Sequence, residues 1–182
     1  MKLANILLLG LCVQISLAKF GWGPCSNPSV VENFDSSGYM GKWLEAARLG
    51  VGFETGECVQ ATYTPMSDGY FSVVNAEYLD TGKWNSVEGK AYCESSGDGH
   101  CHVKFPKSPW GKYNVLDTDY NNYSLVYSCA NFYIFHISFS WVLEREVGSA
   151  DLEKYLPYLK SLGFSEGDVH ITSHKNCPSF NN

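Results

Sequence analysis

Between residues 42 and 145 the chain alternates short, apolar-rich stretches with clusters of Gly, Pro, Asn and Asp, at a spacing of roughly ten residues. The turn clusters are Gly50-Val51-Gly52, 65–69, Asp80-Thr81-Gly82, 95–99, 106–111 and Asn121-Asn122. Between them lie strand-like segments near 42–49, 57–65, 70–79, 83–93, 101–105, 112–118, 123–129 and 132–145, eight in all. The last shows the clearest alternation, with Tyr133, Phe135, Ile137, Phe139, Trp141 and Leu143 on one face and His136, Ser138 and Ser140 on the other. Val59, Ala61 and Tyr63 share a face in the second segment, and Phe71, Val73 and Asn75 in the third. Faces that mix aromatics, small residues and amides suit the lining of a cavity. Eight strands closing on themselves leave room for side chains or one small ligand, and closure removes exposed sheet edges.

One amphipathic segment follows, residues 149–162, with Leu152, Tyr155, Leu156, Leu159 and Leu162 at helical spacing. Ser149 is the expected N-cap and Gly163 the expected C′ residue. Pro157 lacks the donor that an uninterrupted helix needs, which predicts a kink or a start nearer Pro157 than Ser149. A short strand is expected from Val169 to Thr172.

The N-terminus changes the compartment. Lys2, an apolar run from Leu3 to Val13, and the small residues Ser16 and Ala18 read as a secretory signal over 1–18, leaving 19–182 as one domain. The run is shorter than the roughly 20 residues of a bilayer span. Removing the signal removes Cys12 and leaves six cysteines in an oxidising context: Cys25, Cys58, Cys93, Cys101, Cys129 and Cys177. Three disulfides are expected, and composition alone leaves their connectivity open. With 13 Lys+Arg against 19 Asp+Glu, net charge −6 and no basic run, the chain lacks the stripe that nucleic acid requires. Its 5 Trp, 12 Tyr and 10 Phe supply enough apolar area for a folded core.

Three short motifs then fall in order: Gly41-Lys42-Trp43 opening the first barrel strand, Thr118-Asp119-Tyr120 between the sixth and seventh, and Arg145 closing the eighth. With the signal before them and the helix after, they resemble the signatures of the lipocalin family, and the resemblance, closest in its apolipoprotein D-like branch, covers the mature chain. It implies an all-β fold, an eight-stranded up-and-down antiparallel β-barrel with one C-terminal helix packed outside. Trp43 would plug the floor under the guanidinium of Arg145, and Asp119 would fix a turn rather than catalyse. The implied disulfides are Cys25–Cys129 and Cys58–Cys177, which leaves Cys93 and Cys101 for each other.

The resemblance further implies a small hydrophobic ligand held by Tyr63, Met66, Phe71, Val73, Asn75, Asn114, Leu116, Leu125, Tyr127, Phe139 and Trp141. Fatty acids, sterols and retinoids fit that lining, and so does the alternative of a bilin or carotenoid pigment. No cofactor is implied and no enzyme activity expected, because a barrel thiol catalyst needs an unpaired cysteine. His100, Cys101 and His102 make a poor metal-ligand set, and no metal is expected. The apolar loop at 105–111 is a candidate for lipoprotein or membrane-surface contact. Asn122-Tyr123-Ser124 is a glycosylation sequon in an expected turn.

Overall fold

The computed structural model describes residues 19–95 and 97–180; the signal expected over 1–18 lies outside them. Among the described residues ten strands form one antiparallel sheet. The barrel is built from β2 (Gly41–Leu49), β3 (Glu57–Pro65), β4 (Tyr70–Leu79), β5 (Lys83–Cys93), β6 (His100–Lys104), β7 (Gly111–Thr118), β8 (Tyr123–Phe132) and β9 (Phe135–Glu144). Each pairs with the next, and β9 returns to β2, with Leu44 opposite Glu144 and Leu49 opposite Ser140. The closed eight-stranded barrel with a C-terminal helix is therefore observed.

Two short strands complete the closure where β2 and β9 outrun each other. β1 (Lys19–Trp22) pairs with the first half of β9, and β10 (Val169–Ile171) pairs with the end of β2 after β3 has diverged. A one-turn helix, α1 (Ser36–Tyr39), precedes β2 and is capped by the Asp35 carboxylate on the Ser37 N–H. β1 and α1 carry too few residues to show a period.

Two apolar clusters lie on opposite sides of the sheet. Inside the barrel, Trp43, Tyr63, Phe71, Val73, Val115, Val126 and Leu143 pack together with Tyr39. Outside it, Leu49, Leu116, Leu125, Tyr127 and Val142 are covered by Tyr155 and Leu159 of α2 (Leu152–Ser161) and by Phe164. Strands under the helix are thus apolar on both faces. Ser138 and Ser140, the polar face of the last strand by pattern, are wholly buried there, the Ser140 hydroxyl donating to Val126 O at 2.6 Å.

Three expectations need correction. The turn before β9 falls at Tyr133–Ile134, three residues later than the pattern implies, and Tyr133 is fully exposed instead of inward. The apolar tip carries no Gly, Pro or Asn to announce it. The helix begins at Leu152 under Asp151, whose carboxylate accepts from the Lys154 N–H, because Ser149 donates its hydroxyl to Asn122 O in the preceding turn. It also runs through Pro157, while Gly163 does take the left-handed φ of +105° that ends it.

The disulfides are Cys25–Cys129, Cys58–Cys177 and Cys93–Cys101. The first ties the N-terminal arm to β8, the second ties the C-terminal tail to β3, and the third joins neighbouring residues of β5 and β6.

Candidate ligand cavity

One end of the barrel is shut. The Trp43 indole is wholly buried and donates to Tyr39 O at 2.9 Å, and the Arg145 guanidinium carbon stacks 3.7 Å from its ring centroid. Arg145 donates further to the carbonyls of Lys42 at 2.7 Å, Tyr120 at 2.9 Å and Met40 at 3.0 Å. One cation thus joins α1, β2 and the β7–β8 turn. In that turn Asp119 accepts from the N–H groups of Asn121, Asn122 and Tyr123, and the Thr118 hydroxyl donates to Tyr123 O at 2.6 Å. Burial opposes its ionisation, but these bonds and the Asn122 amide hold the Asp119 carboxyl below the usual aspartate range. Gly41, at φ +94°, lets β2 start directly beside Arg145, with an Arg145 nitrogen 3.5 Å from where a Cβ would stand.

Above Trp43 the phenols form a chain. Tyr113 Oη lies 2.7 Å from Tyr63 Oη and 3.0 Å from Tyr39 Oη, which in turn meets the Ser124 hydroxyl at 2.9 Å. Burial pushes Tyr39 up to about 12 and pushes Tyr63 and Tyr113 well above the ordinary tyrosine value, so this floor stays neutral.

Over that floor lies a cavity of ≈ 850 Å³, open mouth included. Its enclosed part, ≈ 200 Å³, is smaller than the roughly 300–1,000 Å³ of typical small-molecule sites. Val59, Ala61, Val73, Val103 and Leu143 form its walls. Phe53, Phe105, Phe139 and Trp141 ring the upper part, with Phe53 and Phe139 edge to face at 5.4 Å. Its polar lining is Glu45, Glu54, Gln60, Asn75 and Ser128, besides Tyr63 and Tyr113. The Trp141 indole donates to Glu54 Oε2 at 3.3 Å.

Of the residues expected to line this site, Tyr63, Val73, Asn75, Phe139 and Trp141 do so. Phe71 is inside the barrel but packed beneath Tyr63, their rings 6.1 Å apart, and is buried in the core. Leu116, Leu125 and Tyr127 are on the outer face beneath α2, and Asn114 pairs with Tyr127 across β7 and β8 on that side. A bulge between Val115 and Asp117 shifts the register there, and strands apolar on both faces hide which parity is inward. Met66 is half exposed in the β3–β4 turn, beside a separate groove. The pattern also missed Glu45, Phe53 and Glu54. An isolated Glu in a strand and a Phe-Glu pair in a loop give no periodic signal.

Outside the cavity, Trp110 stands edge to face on Tyr92 at 5.1 Å, on the barrel exterior. His100 pairs with Asp98 and His102 with Glu94, each at 2.8 Å, and Cys101 is oxidised. Asn122 is exposed, its amide donating to Asp119 Oδ2 at 2.6 Å, whereas Ser124 of the same sequon is wholly buried.

A closed antiparallel barrel plugged by a Trp–Arg stack and open above an apolar cavity defines the lipocalin class of ligand-holding barrels. Residues 34–174 match the Lipocalin-like domain family, and the chain belongs to it. Over 192 aligned positions it is 38% identical to apolipoprotein D of Cavia porcellus, across 99% of this chain and 98% of that protein. Among solved structures, apocrustacyanin C1 superposes with a TM-score of 0.71 at 23% identity, covering 87% of this chain and 93% of its own. Insecticyanin of the tobacco hornworm Manduca sexta also gives 0.71 at 23% identity, covering 86% and 89%.

Proposed function

We propose that the protein is a secreted, non-enzymatic carrier of a small hydrophobic molecule held in the barrel, as in an apolipoprotein D-like lipocalin. The observation that carries this reading is the cavity: closed below by Trp43 and Arg145, apolar along its walls and open above. At about −0.3 kcal/mol per heavy atom, a ligand of ~20 such atoms gains ~6 kcal/mol, a Kd of tens of micromolar before good fit lowers it. All six described cysteines are in disulfides, which suits an extracellular site of action and leaves no thiol for catalysis among the described residues.

The test is native mass spectrometry of protein from its source, with extraction of what copurifies. A bound lipid supports the carrier reading; an empty protein that takes up no fluorescent fatty acid, retinoid or sterol refutes it. The aromatic group Phe53, Phe139 and Trp141 favours one second reading, a flat conjugated pigment such as a bilin or carotenoid. A visible absorption band in the purified protein distinguishes the two. Contact with lipoprotein or membrane through the 105–111 loop is a subsidiary proposal, and loss of vesicle association in Trp110→Ala tests it. We assign the Asn122 sequon as glycosylated before folding, since its serine is buried afterwards. A mass decrease of one glycan in Asn122→Gln checks this, and an unchanged carbohydrate content contradicts it.

A further inference from the structure

The polar groups around the cavity are unbalanced. Glu45 and Glu54 supply carboxyls, Gln60 and Asn75 amides and Ser128 a hydroxyl, and there is no Lys, Arg or His among the described lining residues. Arg48, the cation bonded to the lining residue Glu45, is buried and already committed. It donates to Glu45 Oε1 at 2.8 Å, Gly56 O at 3.3 Å and Thr172 Oγ1 at 3.4 Å. Glu45, itself buried, also accepts from the Thr172 hydroxyl. Charge is therefore neutralised within the Glu45–Arg48 pair, and no cation among the described lining residues is left to meet an anion.

Beside Gln60, Ser128, Tyr63 and Tyr113, two groups in the lining stand out. Glu54, in the β2–β3 loop, lies beside Glu45 and is engaged by the Trp141 indole. Asn75 Oδ1 is buried without a hydrogen-bond partner. An orphaned acceptor of this kind costs about 1–3 kcal/mol, and only a donor relieves it.

We propose that Glu54 and Asn75 form a head-group subsite that selects a neutral lipid bearing a hydroxyl and rejects the same lipid bearing a carboxylate. The inference rests on the cavity being the ligand site.

A hydroxyl brings the missing donor to Asn75 and keeps lone pairs for a donor in return. A carboxylate brings only lone pairs and a charge, into a site whose lining offers no free cation to pair with it. An unpaired buried charge costs more than a hydrogen bond recovers. Burial first, and then the Glu45 charge and hydrogen bond, hold the Glu54 carboxyl well above the usual glutamate range. Held toward its protonated form, it can donate to the hydroxyl oxygen. A carboxylate guest would instead contest that proton with Glu45.

Matched pairs that differ only at the head group test this: retinol against retinoic acid, and hexadecanol against palmitate, titrated into the full mature protein at pH 7.4. The expected result is an alcohol bound on the order of tenfold tighter than its acid in both pairs, a difference of about 1.4 kcal/mol. Asn75→Leu should weaken both alcohols severalfold and leave the acids unchanged. Glu54→Lys should reverse the preference by supplying the absent cation. Equal affinities, or tighter acids, in the wild-type protein overturn the subsite while leaving the carrier reading intact. Failure of all four probes to bind overturns both. The wild-type comparison needs no variant to fold, so the proposal stays falsifiable without them.

Discussion

Arg145 shows how a single side chain can hold one end of a barrel. It covers Trp43 and joins carbonyls of three segments, so Arg145→Ala should destabilise by about 2–3 kcal/mol through the lost stack and the unpaired acceptors. Arg145→Lys should restore only part of this, since an ammonium offers neither the plane nor the fork. Calorimetry of both variants checks the order; equal melting temperatures would contradict it. Two carboxyls give opposite pH signatures. Asp119 is held below its ordinary range, so its stabilisation is present at neutral pH and lost as pH falls through the folded value. Asp119→Asn should lower the melting temperature at pH 7, and the gap should close in acid. Glu54 is raised, so the native state retains a proton that the unfolded chain has released, and stability falls as pH climbs from the usual glutamate range to the folded value. Glu54→Gln should therefore gain on the wild type as pH climbs above the usual glutamate range. Parallel melting curves above that range would contradict the raised value.

Among the elements, the β-strands were legible from turn chemistry wherever Gly, Pro, Asn or Asp marked the ends, as at Asp80-Thr81-Gly82. The β8–β9 hairpin was misplaced because Tyr133 and Ile134 read as strand. Parity was legible in β3 and β4, and in β9 from Phe139 to Leu143. It failed in β7 and β8, where Leu116, Leu125 and Tyr127 are buried against α2 as firmly as Val115 and Val126 are inside the barrel. Helix α2 was legible from its apolar stripe, but its cap was not. Ser149 and Asp151 both have capping chemistry, and a tertiary bond to Asn122 O decided between them. Because α2 contributes the wholly buried Leu159 to the outer cluster, Leu159→Ala should cost about 2–5 kcal/mol while ligand affinity holds. Parallel loss of ligand binding in the folded variant would mean that the outer cluster shapes the cavity.

At the scale of the whole molecule, one sheet serves two cores. The outer core, with the helix and two long-range disulfides, fixes the barrel from outside, so the inside need not be packed solid. Strand count, closure and the Trp–Arg plug were readable from the chain. The acidic head-group end was not, because Glu45 and Glu54 come together only when the β2–β3 loop folds over the mouth. The most direct test of the account is to fill the cavity by replacing a wall residue, Ala61→Trp, and titrate retinol and hexadecanol against the wild type. The account predicts loss of both affinities by at least an order of magnitude, with a cooperative melt retained. Unchanged binding in a folded Ala61→Trp protein would show that the barrel interior is not where the ligand resides.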